Sequence, residues 1–145
     1  AMSLARVNYL SHLLENSTEY NLGFEDSMFK PEKTIYLTLL KNTGIHRLFL
    51  GTYELDAPQE ESFSDLWNVC EAFLEGSKEK PRKLAELINT LKARPFKLKQ
   101  GVIDLWIPTY LIIKKNDYSL FLLLTERYWI LCRNHRADSK LKHLM

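Results

Sequence analysis

The sequence has little cysteine, glycine or proline, little excess charge, and no apolar run long enough to cross a bilayer. Its two cysteines, Cys70 and Cys132, stand far apart. They form no CxxC pair, which leaves no zinc-finger spacing and no disulfide framework and points to a reducing cytosol. The five glycines build no G-x-x-x-x-G-K-[ST] loop, so P-loop nucleotide binding has no seat in this chain. No G-x-S-x-G elbow anchors a Ser-His-Asp system. The carboxylates are scattered, with no spacing that singles out an acid–base pair. The histidines His12, His46, His135 and His143 lack H-E-x-x-H or similar ligand spacing, and no metal or cofactor is predicted. The longest apolar stretch, "VIDLWIPTYLII", is short of a membrane span and carries Asp104. The N-terminus shows no basic-then-apolar signal pattern. A formal net charge of +2 is too mild for a dedicated nucleic-acid binder.

What is present is enough for one core. With 145 residues, 46% of them hydrophobic and 26% charged, the chain fits a single domain spanning 1–145. Ala1 ahead of Met2 reads as a cloning remnant, and the expectation is a cytoplasmic domain cut from a larger protein.

Periodicity predicts a first helix from Ser3 as N-cap to Asn16-Ser17, with Val7, Leu10 and Leu14 on its apolar face. A second helix starts at Pro31, buries Ile35, Tyr36, Leu39 and Leu40, and stops at Gly44. "HRLFLGTYELD" reads as one strand over about 46–56, with Gly51 as a bulge. Ser62 and Asp65 suggest a capping box opening a third helix with Phe63, Leu66, Trp67, Cys70, Phe73 and Leu74 as its stripe. A fourth helix, amphipathic and basic, starts near Pro81 and aligns Leu84, Leu87, Ile88 and Leu91. The fifth, through Pro108, is apolar on nearly every side and is expected to be kinked and packed in protein all round. "YSLFLLLTERYWILC" reads as a β-hairpin about Thr125-Glu126-Arg127, followed by a polar tail over 134–145. The predicted fold is α+β and mostly helical: a helical extension (about 3–44), a strand (46–56) and a winged-helix-like part (62–133). The core is expected from Trp67, Phe73, Leu87, Trp106 and Ile112.

Two stretches carry candidate function. Lys78, Lys80, Arg82, Lys83, Lys92, Arg94, Lys97 and Lys99 face only Glu79 and Glu86 across residues 78–99, a cationic strip suited to phosphate contact or to simple solvation. His46-Arg47 follows the glycine that ends the second helix. Its structural reading is a helix-exit device, with guanidinium or imidazole bonded to open carbonyls, and its chemical reading needs a carboxylate brought near in space. Cys70 lies in an apolar stripe and is expected in the core.

The strings "PEKTIYLTLLKNTGIHR", "LWNVCEAFL" and "LAELINTLKARPFKLKQGVIDLWIPTYLIIKKNDYSLF" resemble a helical-plus-winged segment inside large bacterial P-loop ATPases of phage-resistance systems, the BREX and Pgl type. The turn Pro95-Phe96-Lys97-Leu98-Lys99-Gln100-Gly101-Val102-Ile103 fits that family's pattern, with Lys97 in place of a glycine and Asp104 where proline is frequent. The resemblance implies a noncatalytic accessory domain that couples the motor to partner proteins or DNA, the nucleotide site lying elsewhere in the parent. The alternatives are a winged helix contacting nucleic-acid backbone through the basic strip and the hairpin, and a small enzyme built around His46 and Arg47.

Overall fold

The computed structural model describes residues 3–124 and 126–134. Thr125, His135, His143 and the rest of the expected tail beyond Asn134 lie outside the described residues. The described chain is α+β and mostly helical, with five α-helices and two small antiparallel sheets. It divides into two compact units, Ala1–Trp67 and Asn68–Met145.

The first unit opens with α1, Leu4–Glu15, which Ser3 caps by accepting from the Arg6 amide. The buried residues of α1 are Tyr9 and Leu13, while Val7 and Leu14 are exposed. The expected face is therefore rotated, because the bulkiest side chain, Tyr9, rather than the aliphatic spacing, sets which side packs. After a turn through Tyr20–Gly23, where Asn21 and Leu22 take left-handed backbone angles, comes α2, Pro31–Tyr36. Pro31 sits in its first turn, where no amide is needed. The helix widens into a π-helical turn over Leu37–Lys41. It stops at Gly44, whose φ of +80° and close approach to Gln59, 2.8 Å from where a Cβ would stand, both require glycine.

The next stretch is a hairpin rather than the single strand expected. β1, His46–Phe49, pairs antiparallel with β2, Thr52–Leu55. Leu50 and Gly51 form its two-residue turn at φ +50° and +81°. Both central residues lie at positive φ, as a type I′ turn requires, so Gly51 serves the turn and not a bulge.

Helix α3, Glu61–Gly76, spans the boundary between the units. The expected capping box does not form, since the helix starts ahead of Ser62 and that hydroxyl donates to the Glu60 carboxylate. Next in order come β3 (Arg82–Lys83), α4 (Leu84–Lys92), α5 (Gln100–Ile113), β4 (Tyr118–Leu123) and β5 (Tyr128–Arg133), over the stretch expected to be winged-helix-like. The sheet order is β3-β5-β4. The expected hairpin is present with Leu120 opposite Leu131 and Leu123 opposite Tyr128. Arg82-Lys83, assigned from sequence to the start of the fourth helix, is instead a strand on the free edge of β5. Two residues between Pro81 and Leu84 are too few to show a period, and the pairing comes from the distant β5.

Of the expected core, Trp67, Phe73, Leu87 and Trp106 are buried, Trp67 falling in the first unit. Ile112 is only half-buried. In the second unit the Trp106 indole donates to the Cys70 thiol at 3.5 Å. Tyr110 donates to Glu71 at 2.7 Å, and Lys114 pairs with the same carboxylate at 3.0 Å. These contacts fasten α5 to the part of α3 within this unit. The all-round burial expected of α5 does not hold: Ile103, Trp106, Ile107, Thr109 and Tyr110 are buried, but Gly101, Val102 and Asp104 are exposed and Leu105, Pro108 and Leu111 half-buried.

Candidate functional site

Every residue of "TGIHR" is engaged in holding the first unit. The Thr43 hydroxyl donates to Leu39 O at 2.7 Å, closing the end of the π-turn, and its own carbonyl accepts from the amides of Gln59 and Glu60. Ile45 is fully buried. Arg47 donates through Nη1 to Gly44 O at 2.8 Å and to Ala57 O at 2.7 Å, with Asp56 at 3.4 Å from Nη2. One guanidinium thus clamps the helix exit to the chain leaving β2, and its fork geometry suits several carbonyls at once.

His46 does not serve the helix exit. Its Nε2 donates to Ser17 O at 2.9 Å, which fixes the tautomer, and its Nδ1 accepts from the Tyr36 hydroxyl at 2.8 Å. The ring stacks on Tyr53 with centroids 5.2 Å apart. Burial is the first cause that lowers its pKa below the ordinary histidine value, the Ser17 carbonyl opposes this, and the Lys41 ammonium adds to the lowering. Burial likewise raises the Tyr36 hydroxyl, so that it stays a donor. With both ring nitrogens occupied, His46 has no free nitrogen to act as a base on a substrate. Among the described residues no carboxylate lies within ion-pairing distance of the ring, so the convergence that a chemical reading needs is not formed. Sequence spacing gave no hint of the Tyr36–His46–Tyr53 cluster.

The basic strip is split into two kinds of residue. Lys78 lies 3.9 Å from Glu75, and Arg82 pairs with Glu86 at 3.3 Å while its guanidinium covers the Phe73 ring at 4.3 Å. Lys83 covers the Tyr128 ring at 4.4 Å. Arg82 and Lys83 thus act partly as covers for aromatic surface. Lys80, Lys92, Arg94, Lys97 and Lys99 are exposed. The last four lie from the end of α4 to the start of α5, and among the described residues they make no ion pair. Backbone bonds hold that connection in place, Lys97 N to Ala93 O and Leu98 N to Leu91 O, both at 2.9 Å.

The exposed side of α5 beside them is of another character. Gln100 donates to Asp104 at 2.6 Å, and beyond that pair the side chains are those of Val102, Leu105 and Pro108.

Among the described residues no three His, Cys, Asp or Glu side chains gather as metal ligands would. Burial pushes the Cys70 thiol up to about 11, which removes it as a nucleophile. A concavity of about 210 Å³ lies between Val69, Phe73, Arg82 and Leu87, and another of about 190 Å³ beside Phe29 and Lys33. Both are smaller than the several hundred Å³ common for small-molecule sites. No helix among the described residues is long and apolar enough to cross a membrane. No protein-family model, no curated protein and no solved structure matches this chain.

Proposed function

We propose that this chain is a noncatalytic interaction module, an accessory part of a larger bacterial defence-type ATPase that it couples to a partner. The observation that carries this reading is the exposed side of α5. In a helix-turn-helix reader the second helix enters the major groove and must offer polar side chains to base edges. Here that helix offers the exposed Gly101 and Val102 with the half-buried Leu105 and Pro108, its exposed amide, Gln100, is bonded to Asp104, and its one exposed charge, Asp104, repels phosphate. Such a surface is suited to contact with protein. The ATPase assignment rests on the resemblance of "PEKTIY", "TGIHR" and the Pro95–Ile103 turn to that family's accessory segment.

A second reading, contact with nucleic-acid backbone, is favoured by Lys92, Arg94, Lys97 and Lys99, four exposed cations with no ion pair among the described residues. Backbone contact needs charge and no base-reading helix.

The first reading is tested on a P-loop ATPase encoded with this chain, in the same frame or beside it. The isolated chain is expected to co-purify with that ATPase. Val102→Arg with Leu105→Arg is expected to abolish the association with the circular dichroism unchanged. Association that survives the double variant contradicts the role given to α5.

A further inference from the structure

We propose that the Tyr36–His46–Tyr53 cluster is an acid-sensitive latch of the first unit: a neutral imidazole fastens the Ser17 turn, α2 and the β1–β2 hairpin together, and its protonation releases them. His46 joins stretches that are distant in sequence, through Ser17 O at 2.9 Å, the Tyr36 hydroxyl at 2.8 Å and the stacked Tyr53 ring. In the neutral ring the arrangement fixes one tautomer. Because Nε2 already donates to a carbonyl, Nδ1 must be the bare acceptor of the Tyr36 proton. A second ring proton would sit on Nδ1 and face the Tyr36 hydroxyl donor. Tyr36 would then have to redirect its proton to Asn21 Oδ1, 3.5 Å away, which already accepts from Lys41 at 3.0 Å.

Among the described residues the surroundings offer a cation the Ser17 carbonyl and the tyrosine rings, but no carboxylate. The groups that act on the ring are the Tyr36 phenol from α2, Tyr53 from β2 and the Lys41 ammonium from the π-turn, and behind them stand Tyr20 against Tyr53 and Asn21 against Tyr36. Three are phenols, one is a neutral amide and one is a cation. The guanidinium of the adjacent Arg47 is committed to Gly44, Ala57 and Asp56. A buried imidazolium near an ammonium, with no carboxylate in ion-pairing distance among the described residues, is relieved by opening. What opening frees is the hairpin that carries Leu48, Phe49 and Leu50, all exposed and apolar.

The sign follows from linkage. A folded-state histidine with a lowered pKa binds fewer protons than the unfolded chain. Its contribution to stability is therefore present above the unfolded value and is lost as pH falls below about 6.5.

The test is an NMR titration of the full chain, paired with thermal unfolding at about pH 7.5 and about pH 5.5, the range histidine spans. The His46 ring is expected to titrate below the ordinary histidine value, and its cross-relaxation with Tyr36 is expected to vanish over that same pH range. The acid-induced fall in unfolding midpoint is expected to shrink at least twofold in His46→Gln. Where that variant does not fold, the wild-type titration decides alone. Cross-relaxation retained in the protonated form overturns the latch. So does a ring still neutral at about pH 4 with the unfolding midpoint unmoved, or a full acid-induced fall in a folded His46→Gln chain.

Discussion

Trp106 is the side chain on which the second unit most depends. It is completely buried and its indole N–H is committed to Cys70. Trp106→Ala should cost about 3 to 5 kcal/mol in denaturant unfolding, the range for large aromatics in packed cores. A midpoint unmoved by that change would contradict the burial of α5's inner side. Cys70 gives a chemical check on the same contact. Its thiol contributes to stability below the unfolded value of about 8.5, and that contribution is lost as pH rises toward about 11. At about pH 8 native protein should therefore take up iodoacetamide at Cys70 only as fast as it unfolds, which mass spectrometry of the alkylated chain measures. Leu50 makes the opposite case. It is 88% exposed at φ +50°, a conformation that costs an L-residue about 1 to 2 kcal/mol. Leu50→Gly should thus stabilise the first unit in thermal unfolding, a result that contact counting alone would not suggest.

At the scale of elements, Arg47 is the tie between α2's exit and the chain beyond β2. Arg47→Ala should lower stability by about 1 to 3 kcal/mol, since it leaves the part-buried Gly44 carbonyl without its donor. Denaturant unfolding measures it, and a loss within error would mean the clamp is ornamental. Much of this was legible in the chain. Gly44 as a stop, Pro31 as a start and the "YSLFLLL…YWILC" hairpin all follow from local backbone preferences, which act within a few residues. The misreadings came from longer range. β3 exists only because β5 offers it an edge, and the face of α1 is chosen by where Tyr9 finds room. The Leu50-Gly51 turn was hidden by a leucine where asparagine or aspartate would have signalled the turn. His46 was seen as a pair with Arg47 because they are adjacent, yet successive residues of a strand point to opposite sides. Their partners accordingly differ: imidazole to Ser17 and Tyr36, guanidinium to Gly44 and Ala57.

At the scale of the whole molecule, the proposed interaction role rests on surface chemistry. In the second unit the chain sets an apolar helix side with one carboxylate beside a connection bearing four cations. The two favour different partners. Were Lys92, Arg94, Lys97 and Lys99 each to engage a phosphate, log affinity would fall against log salt with a slope of about −3.6, a loss of about a hundredfold between about 50 and 200 mM. The measurement that decides is fluorescence anisotropy of labelled duplex DNA titrated with the isolated chain across that salt range, repeated with Lys92→Glu, Arg94→Glu and Lys99→Glu combined. Those surface changes should alter stability by no more than about 0.5 kcal/mol each. A protein-docking module predicts weak, unsaturated binding at about 150 mM salt, indistinguishable between wild type and variant. Tight binding at that salt, with the steep slope and its loss in the triple variant, would contradict the account and assign the surface to nucleic acid.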